Sequence, residues 1–138
     1  MYLIRLIYAS KVNNQINPKI IQDILDSSRR NNPKKGLTGI LCFNKDNFLQ
    51  CLEGSRKSVN EVFTTIAKDK RHAEIVILDY NEIYERSFER WAMGYAGETE
   101  LNKSIMLKYS GKDYFDPFSM SGESTYKFLL SLSKTLTT

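Results

Sequence analysis

Two apolar runs, residues 36–44 and 47–53, flank the dipeptide Lys45-Asp46 and constrain the fold more than any other stretch of the chain. Runs of that length around a short polar break read as a β-hairpin. Pairing Asn44 with Asn47 sets Gln50 opposite Leu41, because the register follows once the turn is placed. Phe48, Gln50 and Leu52 then share one face, while Leu49 and Cys51 share the other with Ile40 and Cys42. Both faces are apolar, so both must be covered. Gly54-Ser55 is expected to break the chain after the second strand.

The flanking segments supply one layer. Residues 2–9 read as a strand rich in Ile and Tyr, and Asn17-Pro18 opens a helix with Asn17 as N-cap and Pro18 at its first position. That helix runs through residues 20–31 and stops before Asn32-Pro33, since the residue before proline is pushed out of helical geometry. Val59, Val62, Phe63 and Ile66 predict a second helix over 56–69. Residues 73–80 read as a further strand and 91–97 as a short fifth one. The order β-α-β-β-α-β plus one strand predicts an α+β, ferredoxin-like fold with both helices on one sheet face.

The other face must meet a C-terminal segment or a second chain. Residues 1–97 therefore read as the core domain and 98–138 as a helical extension. Within the extension, 99–109 and 124–136 read as helices around a loop holding Gly, Pro and aromatics. Phe128, Leu129, Leu132 and Leu136 form one stripe of the last helix.

Composition excludes several classes. The 138 residues suit one domain, and 41% hydrophobic with 26% charged residues is ordinary for a globular protein. No apolar run approaches the ~18 residues that span a bilayer, and the N-terminus does not read as a signal peptide; the chain is expected in the cytoplasm. The net charge of +4 comes from scattered cations, among them Arg29, Arg30, Lys34, Lys35, Lys68 and Lys70, with acids interleaved. A mixed solvated surface explains this better than a nucleic-acid stripe. Cys42 and Cys51 sit in apolar runs without metal-site spacing and read as reduced, buried hydrophobes.

A few polar residues stand out against this frame. Gln50 holds a core-facing position between Phe48 and Leu52, and a buried amide without a partner costs about 1–3 kcal/mol, so a specific partner is expected. Tyr8 ends the first strand on the face of Ile4 and Leu6, where a tyrosine by itself reads as an aromatic core residue. Ile24, Ser28, Asn31 and Asn32 lie on one helix face, apolar at one end and amide-rich at the other. Taken by themselves, two adjacent amides at a helix end read as capping groups, yet a flat heterocycle with an imide edge would fit the whole strip. Asp69, Arg71 and His72 end the second helix, and the lone histidine cannot build a metal site. Trp91 and Met93 alternate on the fifth strand and are expected to face the same way. No dinucleotide fingerprint, P-loop, nucleophile elbow or metal-ligand pair occurs.

Taken in order, LIYAS at 6–10, Asn31-Asn32, GLTGILCF at 36–43, FLQCLEG at 48–54, DKRH at 69–72 and WAM at 91–93 resemble the BLUF family of FAD-binding blue-light sensors. The resemblance covers about residues 1–97 and implies an isoalloxazine ring held between the two helices, facing the sheet. It implies that Tyr8 is the electron and proton donor to the excited flavin, and that Gln50 links Tyr8 to the flavin. Asn31 and Asn32 would hold the imide edge, with Ile24, Ser28, Leu41 and Phe48 lining the ring. Asp69, Arg71 and His72 would approach the ribityl and phosphate side, and Trp91 and Met93 would carry the signal outward. The chemistry asks for such residues: a phenol gives a proton with its electron, and only a carboxamide both donates and accepts on a planar group. Many members carry a basic residue near Thr65, so FMN or riboflavin are expected as substitutes for FAD.

At 138 residues the chain resembles the short family members, which are not enzymes and act by light-dependent binding to another protein. A downstream response protein and a homo-oligomer are expected, but no membrane or nucleic acid. An RRM-like RNA-binding module shares the element order, but its third strand would carry stacking aromatics and cations, where FLQCLEG has one aromatic and an acid. A small ferredoxin-like hydrolase would need an Arg–Asn pair converging on phosphate, which nothing in the sequence supplies.

Overall fold

The computed structural model describes residues 2–13, 18–98 and 100–136. Among them the strands are β1 (Leu3–Val12), β2 (Thr38–Phe43), β3 (Asn47–Ser55), β4 (His72–Ile83) and β5 (Gly94–Ala96). The α-helices are α1 (Pro18–Asn31), α2 (Arg56–Lys68), α3 (Lys103–Ser110) and α4 (Gly122–Ser133), with 3-10 turns at Pro33–Lys35 and Pro117–Ser119. Asn17, expected to cap α1, lies outside the described residues, as does Thr99 at the start of the helix expected over 99–109.

The strands form one ferredoxin-like sheet in the order β4-β1-β3-β2-β5. The hairpin has the register its turn dictates, with Leu41 opposite Gln50 and Phe43 opposite Phe48. β1 runs antiparallel to β3, placing Tyr8 beside Gln50, and β5 runs parallel to β2. Central β3 is buried from Asn47 to Gly54, as a strand covered on both faces must be.

Two cores result. On one face Ile4, Leu6, Tyr8, Leu41, Phe48 and Leu52 meet Ile21 and Leu25 of α1 and Val59 of α2. On the other, Ile7, Ile40, Cys42, Leu49 and Cys51 meet Met106 of α3 and Phe128, Leu129 and Leu132 of α4. Each such side chain, fully buried, contributes roughly 1.5–3 kcal/mol. The extension therefore covers the second face, and α4 presents the expected stripe, with Leu136 partly buried beside it. Edge strand β4 exposes Val76 (44%), Ile77 (49%) and Tyr80 (43%), and Tyr2, Tyr84, Leu107 and Tyr114 are exposed elsewhere.

Several local expectations change. β3 does not break at Gly54-Ser55; it runs through Ser55, whose hydroxyl accepts from the Ser58 N–H at 3.2 Å and caps α2. α2 ends at Lys68, so Asp69 and Arg71 form the turn beyond it and His72 opens β4. β5 is only three residues long and leaves out Trp91 and Met93. The carbonyls that would extend it are engaged elsewhere: Ala92 accepts from Asn32 Nδ2 at 2.7 Å and Met93 from Arg29 Nε at 3.1 Å.

Candidate functional site

A cleft of about 170 Å³ lies between α1 and α2 over the sheet. Its floor is the face whose alternation the hairpin set, with Tyr8, Leu41, Phe48, Gln50 and Leu52 turned into it. α1 supplies Ile24, Ser28 and Asn31, followed by Asn32, because spacings of four, seven and eight residues return to one helix face. Asp69, Arg71 and His72 close the far end. All the residues singled out in the sequence for cofactor contact line this one space, while Trp91 and Met93 do not.

Tyr8 and Gln50 form the buried centre, at 0% and 4% exposure. The Tyr8 hydroxyl donates to Gln50 Oε1 across the β1–β3 pair, and Gln50 Nε2 reaches Met93 Sδ at 3.5 Å. The expected partner of the buried amide is thus supplied by β1, and a thioether meets its other end. Burial, with the Asp69 charge adding to it, pushes the Tyr8 pKa far above the usual phenol range. The buried phenol is held in its protonated form.

Aromatic groups fix this centre. His72 stands edge-on to Tyr8 at 6.2 Å and lies 4.6 Å from Phe48, while Phe63 of α2 stands edge-on to Tyr8 at 5.5 Å. His72 Nδ1 shares a hydrogen bond of 2.8 Å with the Ser10 hydroxyl. Burial lowers the His72 pKa below 6.5, against a raising influence from Asp69. The Arg71 guanidinium holds Asp69 below the usual carboxylate range, with Nε 2.9 Å from Oδ1 and 3.0 Å from Oδ2.

At the opposite end the two amides differ. Asn32 is buried and gives its Nδ2 to the Ala92 carbonyl, whereas Asn31 is exposed and makes only a long 3.3 Å bond to Ser27 Oγ. The segment before β5 splits Trp91 from Met93. Met93 joins the core of Tyr8 and Gln50, and Trp91 packs in the core of α3 and α4, its ring 3.4 Å from where a side chain on Gly94 would begin. The expectation that they face the same way fails because alternation needs a strand, and both precede it.

The sequence reading passed over Lys35, Ser27, Leu52, Val62 and Ile66 as cleft residues. Leu52 shares the alternation of Phe48 and Gln50, and Val62 and Ile66 stand four apart on α2, so both signals were present. Thr65 also lines the cleft, its hydroxyl turned to the Glu61 carbonyl at 3.2 Å.

Known proteins are similar to this chain in sequence and in fold. The chain is similar to the blue light- and temperature-regulated antirepressor BluF of Escherichia coli (strain K12), 37% identical over 76 residues, which are 55% of this chain and 19% of that protein. It is 28% identical over 91 residues to the photoactivated adenylate cyclase subunit beta of Euglena longa, covering 64% of this chain and 11% of the other. The chain thus spans only a minor part of either curated relative. Among solved structures, BlsA in its photo-activated state superposes with a TM-score of 0.89 at 33% identity, covering 99% of this chain and 98% of that one. The dark-state structure of BlrB, a BLUF protein, gives 0.83 at 31% identity with 98% of each chain covered. With the family model for sensors of blue light using FAD matching residues 3–94, two-thirds of its length, the chain belongs to the BLUF family.

Proposed function

We propose that this BLUF protein binds FAD non-covalently in the α1–α2 cleft and switches a partner protein in the cytoplasm by rewiring the Tyr8–Gln50 hydrogen bonds. The observation that carries the reading is the buried Tyr8–Gln50–Met93 chain on the cleft floor. The cleft residues fit the cofactor: Ile24, Leu41 and Phe48 offer apolar contact to a flat ring, and the amides stand at one edge. Because Asn32 spends its Nδ2 on Ala92, its Oδ1 remains to accept from an imide N–H, and Asn31 Nδ2 remains to donate to a carbonyl. Ser28 lies between them and Ile24.

Asp69, Arg71 and His72 would flank the ribityl and phosphate side. Arg71 is already paired with Asp69, and Thr65 brings no charge, so phosphate adds little to affinity and FMN or riboflavin can stand in for FAD. A bound flavin supplies the light absorption and the oxidising excited state. Tyr8 would be placed to lend an electron and a proton to that excited state and to take both back, leaving Gln50 with its donor and acceptor ends reversed relative to the Tyr8 oxygen. Met93, in van der Waals reach of the amide, registers the reversal, and Trp91 passes it to the second core. In this reading residues 1–97 are the sensor and 98–138 the output element. It includes self-association, for which exposed apolar side chains such as Val76, Ile77 and Tyr80 of β4 and Leu107 of α3 offer packing surface without strand addition at the β4 edge.

The test is an absorption spectrum of the purified protein in the dark and after blue light. A flavin spectrum with a small reversible red shift is expected, absent in Tyr8→Phe and lost in Gln50→Leu with flavin retained. A normal shift in Tyr8→Phe defeats the donor role, and normal cycling in Gln50→Leu defeats the relay.

A further inference from the structure

Residues 84–93 form neither helix nor strand, yet they cross from the second core, where Phe88 is fully buried, to the first, where Met93 meets Gln50. The crossing is anchored on Glu53. This side chain is 0% exposed, lies three residues beyond Gln50 on β3, and belongs to the opposite face. Its Oε2 accepts the Ser87 N–H at 2.7 Å, and its Oε1 accepts the Phe88 N–H at 2.9 Å and the Thr38 hydroxyl at 3.0 Å. Arg86 adds to the same anchor, donating to the Glu53 carbonyl at 3.1 Å and to the Thr38 hydroxyl at 2.9 Å. Beyond it, the Trp91 carbonyl accepts from Gly39 N–H at 3.2 Å, and the chain turns toward Met93. The same Ser87 meets α4 through its hydroxyl, 2.7 Å from the Tyr126 hydroxyl.

β3 thus holds both ends of this strap, by a carboxyl group on one face and a carboxamide on the other. A buried carboxyl group tolerates such a position only when its oxygens are satisfied, and two of its three donors belong to the strap. Releasing the strap therefore strips the buried carboxyl group of two of its three donors, so the strap cannot leave without Glu53 being left unsatisfied or reached by water. The geometry points to Glu53 as a positioning residue of the switch: its clamp on residues 86–88 brings Met93 against Gln50 and sets how fast a light-altered arrangement returns to the dark one. The inference rests on the light-switch reading for its kinetic half only.

Glu53→Gln replaces one acceptor oxygen by an NH2 group that faces a backbone N–H, so it opens the clamp without changing side-chain size. Thr38→Val removes one donor and leaves the carboxyl in place. Trp91 is the only tryptophan in the chain and reports the strap directly. In the dark, Glu53→Gln should move Trp91 emission to longer wavelength and raise amide exchange at Phe88 and Trp91 about fivefold or more. After blue light the red shift should keep its size, because Tyr8 and Gln50 are intact. Recovery should slow about fivefold, since the weakened clamp destabilises the dark arrangement relative to the light one. Thr38→Val should show smaller changes of the same sign.

Wild-type emission, exchange and recovery in a folded Glu53→Gln protein overturn the inference, as does faster recovery. If Glu53→Gln does not fold, an unchanged Thr38→Val protein overturns it equally. A wild-type protein without a red shift sinks the light-switch reading instead, while emission and exchange still decide the clamp.

Discussion

A carboxamide in the middle strand of a sheet buried on both faces is costly unless both its ends are engaged, and Gln50 meets that condition with Tyr8 and Met93. The same burial holds the Tyr8 hydroxyl in its protonated form, aimed at an amide that can both donate and accept. His72 adds a pH dependence. Its folded pKa lies below 6.5, so the unfolded chain binds the extra proton first. Its contribution is fully present above pH 6.5 and is lost as pH falls from there through the folded value. Asp69, also depressed, loses its contribution only below about pH 3.8, as the medium reaches its folded value. Urea unfolding at pH 7.5 and 5.5 should therefore show lower stability at the acid point, with a shallower drop in His72→Gln. An equal drop in both proteins would remove His72 from the account. At this scale the sequence was informative about residue type and face, since alternation alone puts Phe48 with Gln50 and Tyr8 with Ile4 and Leu6, while the β1–β3 pairing brings the two sets together. It could not reveal that Met93 and not Trp91 meets Gln50, because the carbonyls that end β5 are taken by Arg29 and Asn32, some 60 residues earlier.

Elements here are defined by their caps and by what they cover. Ser55 closes β3 and opens α2 in a single residue, so Ser55→Ala should cost about 1 kcal/mol in chemical denaturation. A loss below a few tenths would mean that packing of Val59 and its neighbours holds the helix start unaided. α3 and α4 begin in the same way, with Asn102 Oδ1 and Ser121 Oγ each accepting a backbone N–H at 3.0 Å. α4 matters most on its apolar stripe. Leu129 is fully buried against the sheet, and Leu129→Ala should cost about 2–5 kcal/mol by lost transfer energy and the cavity left behind. Differential scanning calorimetry of that variant, expected to melt well below wild type, checks the claim. Edge strand β4 shows the opposite strategy. Two register shifts against β1 interrupt it, and Glu74 sits at a positive φ of 50° near one of them. Such irregularity, with Glu74, Asp79 and Glu82 along the strand, discourages a second sheet from adding there.

As a whole molecule, the protein is one sheet with a binding layer on one face and a covering layer on the other, and the 84–93 segment passes between them. The covering layer is needed to keep the second sheet face out of water. A chain ending at residue 97 would expose Ile7, Ile40, Leu49 and Cys51 at once, a contiguous apolar face that should drive association. Size-exclusion chromatography of that truncation should give large species, whereas a well-behaved monomer would mean the sheet face tolerates water. No helix among the described residues is long and apolar enough to cross a membrane, in keeping with this two-core plan. That Ile24, Ser28, Asn31, Asn32, Tyr8 and Gln50 gather around one cleft was implied only by the family resemblance. The sequence by itself determined the hairpin register, the two-faced burial of β3 and the helix faces. All of these follow from periodicity, turn chemistry and the need to cover apolar faces, which are local properties of the chain. Only the tertiary structure decided where β5 begins, that Trp91 and Met93 part to opposite cores, and that the acid in FLQCLEG is a buried anchor and not a surface charge. Those outcomes depend on hydrogen bonds between residues distant along the chain, and no local pattern encodes which distant donor will reach a given carbonyl or carboxyl oxygen.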